Sequence, residues 1–347
     1  MMDFTLPERS QAVADLAAEV LRGEDPWKEL AQAGLLDVSP PDGLGVLEVS
    51  VLLTEIGRRA PSMQALATLM TGALPLARWG RADLATGDLL VTAAIREPSH
   101  PAPFPPATAV TNGKITGLKV GVPYAAEAHR ILVPCRLTQA PAPTTAPFMI
   151  AGSFGHIAHE TARDHGVAFL DHRSPGVTLT RTPSSSGEPE YAVRLDEAPV
   201  EEMLGGAECV RDLYQLAVAG ACALIDGAVA GALALTRDHV ATREQFGRPL
   251  AAFQAVSQQI ADVYIASRTM HLATLAACWR LSEGRDAASA LDVARWWCAE
   301  QAPATVRVCH HLHGGLGMDV TYPLHRFSAL VTDLVRFLGG AALCLST

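Results

Sequence analysis

The sequence predicts an α+β chain with a helical N-terminal domain, a small middle β-domain and a C-terminal helical bundle. Three observations predict it. From Leu6 to about Leu90 apolar residues recur at helical spacing; from about Val91 to Val200 short β-type runs alternate with Pro, Gly and Asn; beyond about Glu202 long helical patterns return. The boundaries fall at 1–90, 91–203 and 204–347. At 347 residues the chain exceeds one ordinary core, so several domains are expected.

In the first zone, "LPERSQAVADLAAEVLRG" places Ala12, Val13, Leu16, Val20 and Leu21 on one stripe, with Pro7 close to its start. "LEVSVLLTEIGRR" repeats the stripe, and Gly57 is expected to cap its end. The weakly polar run Ala65–Ala77 contains Pro75 and is too short to span a bilayer. In the second zone "VTAAI", "KITGLKVGV" and "RILVPCRL" read as strands, and the Asn112-Gly113 pair signals a tight hairpin. The stretch Thr138–Pro147, "TQAPAPTTAP", reads as a Pro-rich insertion. In the third zone "LYQLAVAGACALIDGAVAGALALTRDHV" is rich in Ala and Gly. Small residues let neighbouring backbones approach, which places this helix at the centre of a bundle. The next helix carries Ile260, Val263, Tyr264, Ser267, Met270 and His271 on one stripe. "LDVARWWCAEQAPATVRVCHHL" follows as a further helix or pair of helices, with Pro303 marking a start or a kink.

Composition narrows the function. With 49% apolar and 18% charged residues the chain is globular, and only 5% of it is aromatic. A mean hydropathy of +0.19 therefore rests on Ala, Leu and Val, which suits close-packed helices or a large subunit interface. A net charge of −9 argues against nucleic acid, whose phosphates need a basic face. The start "MMDFTLPERS" is interrupted by Asp3, Glu8 and Arg9 and does not read as a secretory signal. Seven scattered cysteines without Cys-x-x-Cys spacing fit reduced thiols. A cytoplasmic protein with no membrane partner is expected.

Two stretches carry the chemistry. In "TREQFGRPLAAFQAVSQQIADVYIASR" (Thr242–Arg268), Arg243 offers a planar fork of donors suited to a pyrophosphate, Phe246 and Phe253 give flat apolar surface, and Gln254 adds a neutral donor and acceptor. In "HHLHGGLGMDVTYPLHRF" (His310–Phe327), Gly314 and Gly315 let backbone approach a bulky ligand. His310, His311 and His313 suggest zinc at first sight. Adjacent helical positions diverge by about 100°, however, and no convergent Cys or carboxylate set accompanies them, so no metal is assigned. Trp296-Trp297 and the cysteines are most simply core or interface.

Together these stretches closely resemble the two signatures of the acyl-CoA dehydrogenase family, Arg-x-x-Phe-Gly…Phe/His-Gln and Gln-x-x-Gly-Gly-x-Gly…Tyr-Pro-x-x-Arg. The helix–β–helix order and the start "MDFTLPERSQAV" resemble it too, so the likeness spans the chain. It implies an acyl-CoA dehydrogenase-like fold ending in a four-helix bundle, and FAD as cofactor. In the family these positions hold the ADP half of an FAD bound mainly to a neighbouring subunit. That role passes to Arg243, Gln245, Phe246, Leu250, Phe253, Gln254, His311, Leu312, Gly314 and Gly315, although the family usually has Gln where His311 stands.

The resemblance also exposes gaps. The reaction needs a carboxylate base at the substrate α-carbon while the β-hydrogen leaves as hydride to the flavin. The family places a Glu where Leu338, or with a one-residue shift Gly339, stands here, and no Asp or Glu follows Asp333. The alternative family position, on the earlier bundle helix, falls at Gln215, Leu216, Ala217 and Val218, with Asp212 and Asp226 nearby but off that position. "REPSHPAPFPPA" keeps Glu97-Pro98 but lacks the family's Gly-Ser-Asp. "KVGVPYAAEAHRILV" stands where a Trp-containing strand would help to grip the flavin ring and thioester.

A chain that keeps only the donated half of a shared site resembles the short, non-catalytic subunit of the α2β2 acyl-CoA dehydrogenases with which actinobacteria degrade sterol side chains. That likeness implies a second, catalytic subunit that binds most of the acyl-CoA, FAD shared with it, a steroid thioester with a shortened side chain, and an electron-transfer flavoprotein as acceptor. Two other readings compete: a self-sufficient homotetramer using Asp212 or Asp333 as base, and a scaffold that binds no flavin.

Overall fold

The computed structural model describes residues 5–59, 62–85, 90–98, 100–102, 105–138 and 164–342, so the Pro-rich insertion beyond Thr138 lies outside the described residues. The chain groups into two compact units. One comprises Met1–Asp37, Val46–Ser62 and Ala219–Ala341, and the other Val38–Gly45 and Met63–Val218.

In the first unit α1 (Glu8–Val20) begins behind Pro7 and packs on α3 (Val46–Arg59); the short α2 (Pro26–Gln32) is capped by Asp25, which accepts from Lys28 N at 3.3 Å. The buried stripe of α1 is not quite the expected one. Ser10, Val13, Ala17 and Leu21 face inward, while Leu16 is exposed. Ser10 can take an inner position because its hydroxyl donates to Glu48 on α3 at 2.8 Å. Gly57 does not cap α3, which runs on to Arg59. Its role is closeness: a Cβ there would stand 2.3 Å from the Leu224 carbonyl oxygen of α5 (Ala207–Thr242). Gly227 repeats this in reverse, its Cβ position 2.0 Å from the Thr54 oxygen. The small-residue helix thus does bring two backbones into contact.

The C-terminal helices are α5, α6 (Gln254–Ser282), α7 (Ala288–His313) and α8 (Leu324–Leu338). Pro303 neither starts nor splits α7, which is continuous through it. α5 is long and apolar enough to cross a bilayer, but 89% of its most apolar window is buried in the protein, as a core helix would be. On the α6 stripe Val263, Ser267 and Met270 are buried, whereas Tyr264 is exposed. Asp226 on α5 meets His271 on α6 at 2.8 Å, a polar contact inside the small-residue helix.

In the second unit the weakly polar run folds as a π-helical stretch, Leu66–Ala73, leading into α4 (Leu74–Arg78). Pro75 has no N–H to give the carbonyl one turn earlier, which favours widening just ahead of it. An eight-stranded sheet follows. Its strands are β1 (Val91–Ala93), β2 (Ala109–Thr111), β3 (Lys114–Pro123), β4 (Arg130–Leu137), β5 (His165–Leu170), β6 (Val177–Thr182), β7 (Glu190–Pro199) and β8 (Glu202–Leu204). Their order is β6-β7-β3-β2-β4-β5-β8, with β1 parallel to β4. Asn112 and Gly113, at φ 51° and 76°, turn the β2–β3 hairpin as the sequence predicts. Helical ends around a middle sheet make this the α+β fold expected.

Candidate functional site

Arg243 follows the last turn of α5, its N–H donating to the His239 carbonyl at 2.8 Å. The guanidinium has no hydrogen-bond or ion-pair partner among the described residues. Beyond it, β9 (Glu244–Gln245) and β10 (Arg248–Pro249) form a two-stranded ribbon closed by Phe246-Gly247. Both turn residues have positive φ, 53° and 77°, the primed turn that a two-residue hairpin requires. Gly247 adopts it freely, whereas for Phe246 it costs about 1 kcal/mol or more. Phe246 is 91% exposed. Its edge meets Phe253 with centroids 6.2 Å apart, and Arg248 lies 4.1 Å above the Phe253 ring. Leu250 N donates to the Arg243 carbonyl at 2.8 Å, tying the ribbon to its start, and Gln254 opens α6 with an exposed side chain.

The second motif sits at the end of α7. Gly314 caps the helix at φ 58°, ψ −134°, a conformation open to glycine alone. Gly315 is different: its φ is ordinary and an added Cβ would meet nothing within 4 Å, so nothing in this chain demands glycine there. His311 is exposed and Leu312 buried. The other histidines are structural. His310 bonds the Gly317 carbonyl through Nδ1 at 2.9 Å and Ser328 through Nε2 at 3.0 Å. His313 donates from Nδ1 to the Cys309 carbonyl at 2.8 Å and accepts from the Tyr322 hydroxyl at 3.0 Å. No three His, Cys, Asp or Glu among the described residues converge on a metal position. The two motifs are brought together through His239, whose ring stacks on His313 with centroids 4.5 Å apart and planes at 16°. Burial holds both imidazoles below the usual histidine range, assisted by Arg243 at His239.

Where the family resemblance expects a base, Leu338 is the buried last residue of α8, and its carbonyl accepts from Arg295 Nε at 3.0 Å. Gly339 follows at φ 89°, and Gly340 N closes the helix onto the Val335 carbonyl at 2.9 Å. This is a helix stop, with no proton acceptor. Leu216, Ala217 and Val218 are buried apolar residues on α5. Asp212 is held by Arg78 at 2.9 Å and by Trp79 Nε1 at 2.9 Å. Asp333 is buried beside Arg336 at 3.2 Å.

The β-domain counterpart of a flavin grip is turned inward. Glu97 is buried and accepts from Ala107 N, Thr108 N, Thr108 Oγ1 and Lys119 Nζ, all within 2.6–2.9 Å. Burial raises the affinity of this carboxyl for a proton, but the fully buried Lys119 and the Thr108 donors outweigh it and hold the carboxyl below its usual range. Arg96 extends over Gly121 of β3, where an added Cβ would stand 2.6 Å from Nη1. The two stretches that grip the ring elsewhere in the family therefore pack on each other. The Arg243 face fits an ADP moiety, with a free guanidinium, exposed aromatic surface and open glycine backbone; the Glu97–Gly121 region does not fit a flavin ring.

Sequence reasoning missed Arg248, His239 and Lys119. The first lies inside the quoted motif and could have been read as a cation over Phe253. The pairing of His239 with His313 is long-range and leaves no local signal.

With helices, a middle sheet and a C-terminal helical bundle, the chain has the acyl-CoA dehydrogenase fold and belongs to that family. The family's C-terminal domain model matches residues 215–341. In particular the chain is 40% identical to acyl-CoA dehydrogenase FadE28 of Mycobacterium tuberculosis, over 98% of this chain and 96% of that one. It is 27% identical to acyl-CoA dehydrogenase FadE27 of the same organism, again over 98% and 96%. Among solved structures it is similar to a chain of the Mycobacterium tuberculosis ChsE4-ChsE5 complex, with TM-score 0.82, 26% identity and coverage of 99% and 97%. It is also similar to a chain of the Tcur3481-Tcur3483 steroid ACAD, with TM-score 0.83, 29% identity and coverage of 98% and 96%.

Proposed function

We propose that this chain is the non-catalytic subunit of a heterotetrameric, FAD-dependent acyl-CoA dehydrogenase acting on a steroid CoA thioester with a shortened side chain. Its contribution is the nucleotide half of a shared FAD site. Arg243 meets the pyrophosphate, Phe246 and Phe253 offer apolar surface to the adenosine, and Gln245, Leu250, Gln254, His311 and Leu312 complete that face. The Gly314-Gly315 backbone gives close approach. Bound FAD would supply the hydride acceptor, and the partner subunit would grip the ring, bind the thioester and provide the base. Electrons would leave to an electron-transfer flavoprotein.

One observation carries this reading. Arg243, Gln245, Phe246, Gln254 and the Gly314-Gly315 backbone are exposed on this chain, while the candidate base positions carry no carboxylate and the nearby aspartates are already engaged. The steroid assignment is supported by the likeness to the steroid ACAD. A scaffold that binds no flavin would gain nothing from a strained, exposed Phe246.

The test is co-expression with a candidate catalytic acyl-CoA dehydrogenase chain, followed by flavin counting. One FAD per two chains, lost on Arg243→Ala, is the expected result. A full complement of FAD on this chain alone, with turnover of an acyl-CoA, would overturn the proposal.

A further inference from the structure

We propose that His239 and His313 act as a positioning pair, stacked neutral imidazoles that hold the Arg243 segment and the Gly314-Gly315 segment in one arrangement, and that their protonation releases the nucleotide. This inference rests on the function proposed above and adds a regulated element to the same site.

The geometry singles the pair out. His239 lies one turn before Arg243, and the Arg243 N–H donates to its carbonyl. His313 immediately precedes Gly314, the residue that turns the chain out of α7. The two rings meet nearly parallel at 4.5 Å, a face-to-face contact between the ends of two helices that are otherwise far apart in sequence. No other ring or ion-pair contact among the described residues bridges these two segments directly. One turn further back Thr236 bonds Cys309 and ties the same two helices, which leaves the stack as the contact nearest the Arg243 and Gly314 segments.

The protonation state matters because of the hydrogen bonds. His313 gives its Nδ1 proton to the Cys309 carbonyl and receives the Tyr322 proton at Nε2, a pattern that only the neutral ring satisfies. Charging Nε2 would set two donors against each other unless the Tyr322 hydroxyl rotates. Charging both rings would place two cations face to face beside a third, Arg243. The surrounding charged and titratable groups are Arg243 beyond α5, Asp238 ahead of His239, His310 on α7 and Tyr322 before α8. Asp238 is paired with Arg237 at 2.8 Å at the exposed surface, and its charge is felt at Tyr322. Burial favours the uncharged rings, so the folded pKa values lie below those of the unfolded chain. The arrangement is then intact above the ordinary histidine value near 6.5 and is lost as pH falls.

The experiment uses the assembled, FAD-loaded complex and measures FAD dissociation constants by flavin fluorescence between pH 7.5 and 5. If both rings must be neutral for binding, affinity in the wild type falls as pH drops through the depressed histidine values, towards a limiting factor of about 100 per pH unit once both are passed. His239→Phe keeps an aromatic stack with one titrating ring, and the slope falls to about tenfold per unit; His239→Phe with His313→Phe removes it. Light scattering at each pH confirms that the complex stays assembled. The single variant, at a half-buried position, serves if the double variant does not assemble. An acid slope in His239→Phe equal to that of the wild type overturns the inference. FAD retained by Arg243→Ala at pH 7.5 overturns the site itself, so the two failures are distinct.

Discussion

Replacing Gly315 by alanine separates binding from stability. The added methyl would meet no atom of the chain within 4 Å, and the backbone there has no positive φ to strain. Alanine also lowers the entropy of the unfolded chain, so the change in folding stability stays within about 0.5–1 kcal/mol and favours the variant. At a nucleotide site the same methyl is an obstacle, because it keeps the phosphate oxygens from the backbone donors. Losing one charge-assisted hydrogen bond costs about 1.5–3 kcal/mol, roughly ten- to hundredfold in affinity. The assay is rebinding of FAD to the deflavinated complex, followed by fluorescence quenching, with a urea melt of the same sample. We expect weaker FAD binding and an unchanged or raised urea midpoint. Equal affinity in Gly315→Ala would show that no ligand approaches this backbone, and the glycine would lose its assigned role.

The same substitution at Gly227 has the opposite outcome: its Cβ would lie 2.0 Å from the Thr54 oxygen, so α3 and α5 must part. Helix propensity returns about 1 kcal/mol, but overpacking of two backbones costs about 1–3 kcal/mol or more, and a lower urea midpoint is expected. Asp212→Asn leaves turnover of the complex within about twofold of the wild type, since Asp212 serves Arg78 and Trp79; a loss of two orders of magnitude would make it the base. Lys119→Met strands a buried carboxylate and destabilises by about 3–5 kcal/mol; a midpoint within 1 kcal/mol of wild type refutes the pairing. Glu97 is held below its ordinary value of 4.5, so its stabilisation is full above that pH and declines as acid protonates it. Acid melts should show this limb in the wild type and its absence in Glu97→Gln combined with Lys119→Met.

What the sequence made legible was local. Asn112-Gly113 turned as read, because positive φ at both positions is a property of those two residues. The strands Lys114–Pro123 and Arg130–Leu137 declared themselves by β-branched content, and α5 by its Ala and Gly. What stayed hidden depends on a partner distant in sequence. Gly57 looks like a helix stop until α5 is laid across it. Ser10 belongs on the outside of α1 until Glu48 supplies its acceptor, and a lysine in a strand reads as solvated until Glu97 is found beneath it. At the site, Arg243 and Gly314 were legible as chemistry, but the ring stack that joins their segments was not.

The pattern of local cost argues for a partner more strongly than any single residue. Within this chain Phe246 gains almost nothing: it holds a left-handed backbone, stays in water and touches Phe253 only by an edge. Gly315 loses chain entropy on folding and relieves no clash. Arg243 forms no ion pair among the described residues although acidic residues are plentiful. Each is unfavourable or idle for folding, and the three lie on segments tied by the His239–His313 stack. The buried Glu97, by contrast, meets four donors, and a buried arginine meets the last carbonyl of α8. Under the function proposed above, a ligand that brings phosphate-like acceptors to Arg243 and flat apolar surface to Phe246 would complete this face, as a dinucleotide held from the other side by another subunit would do.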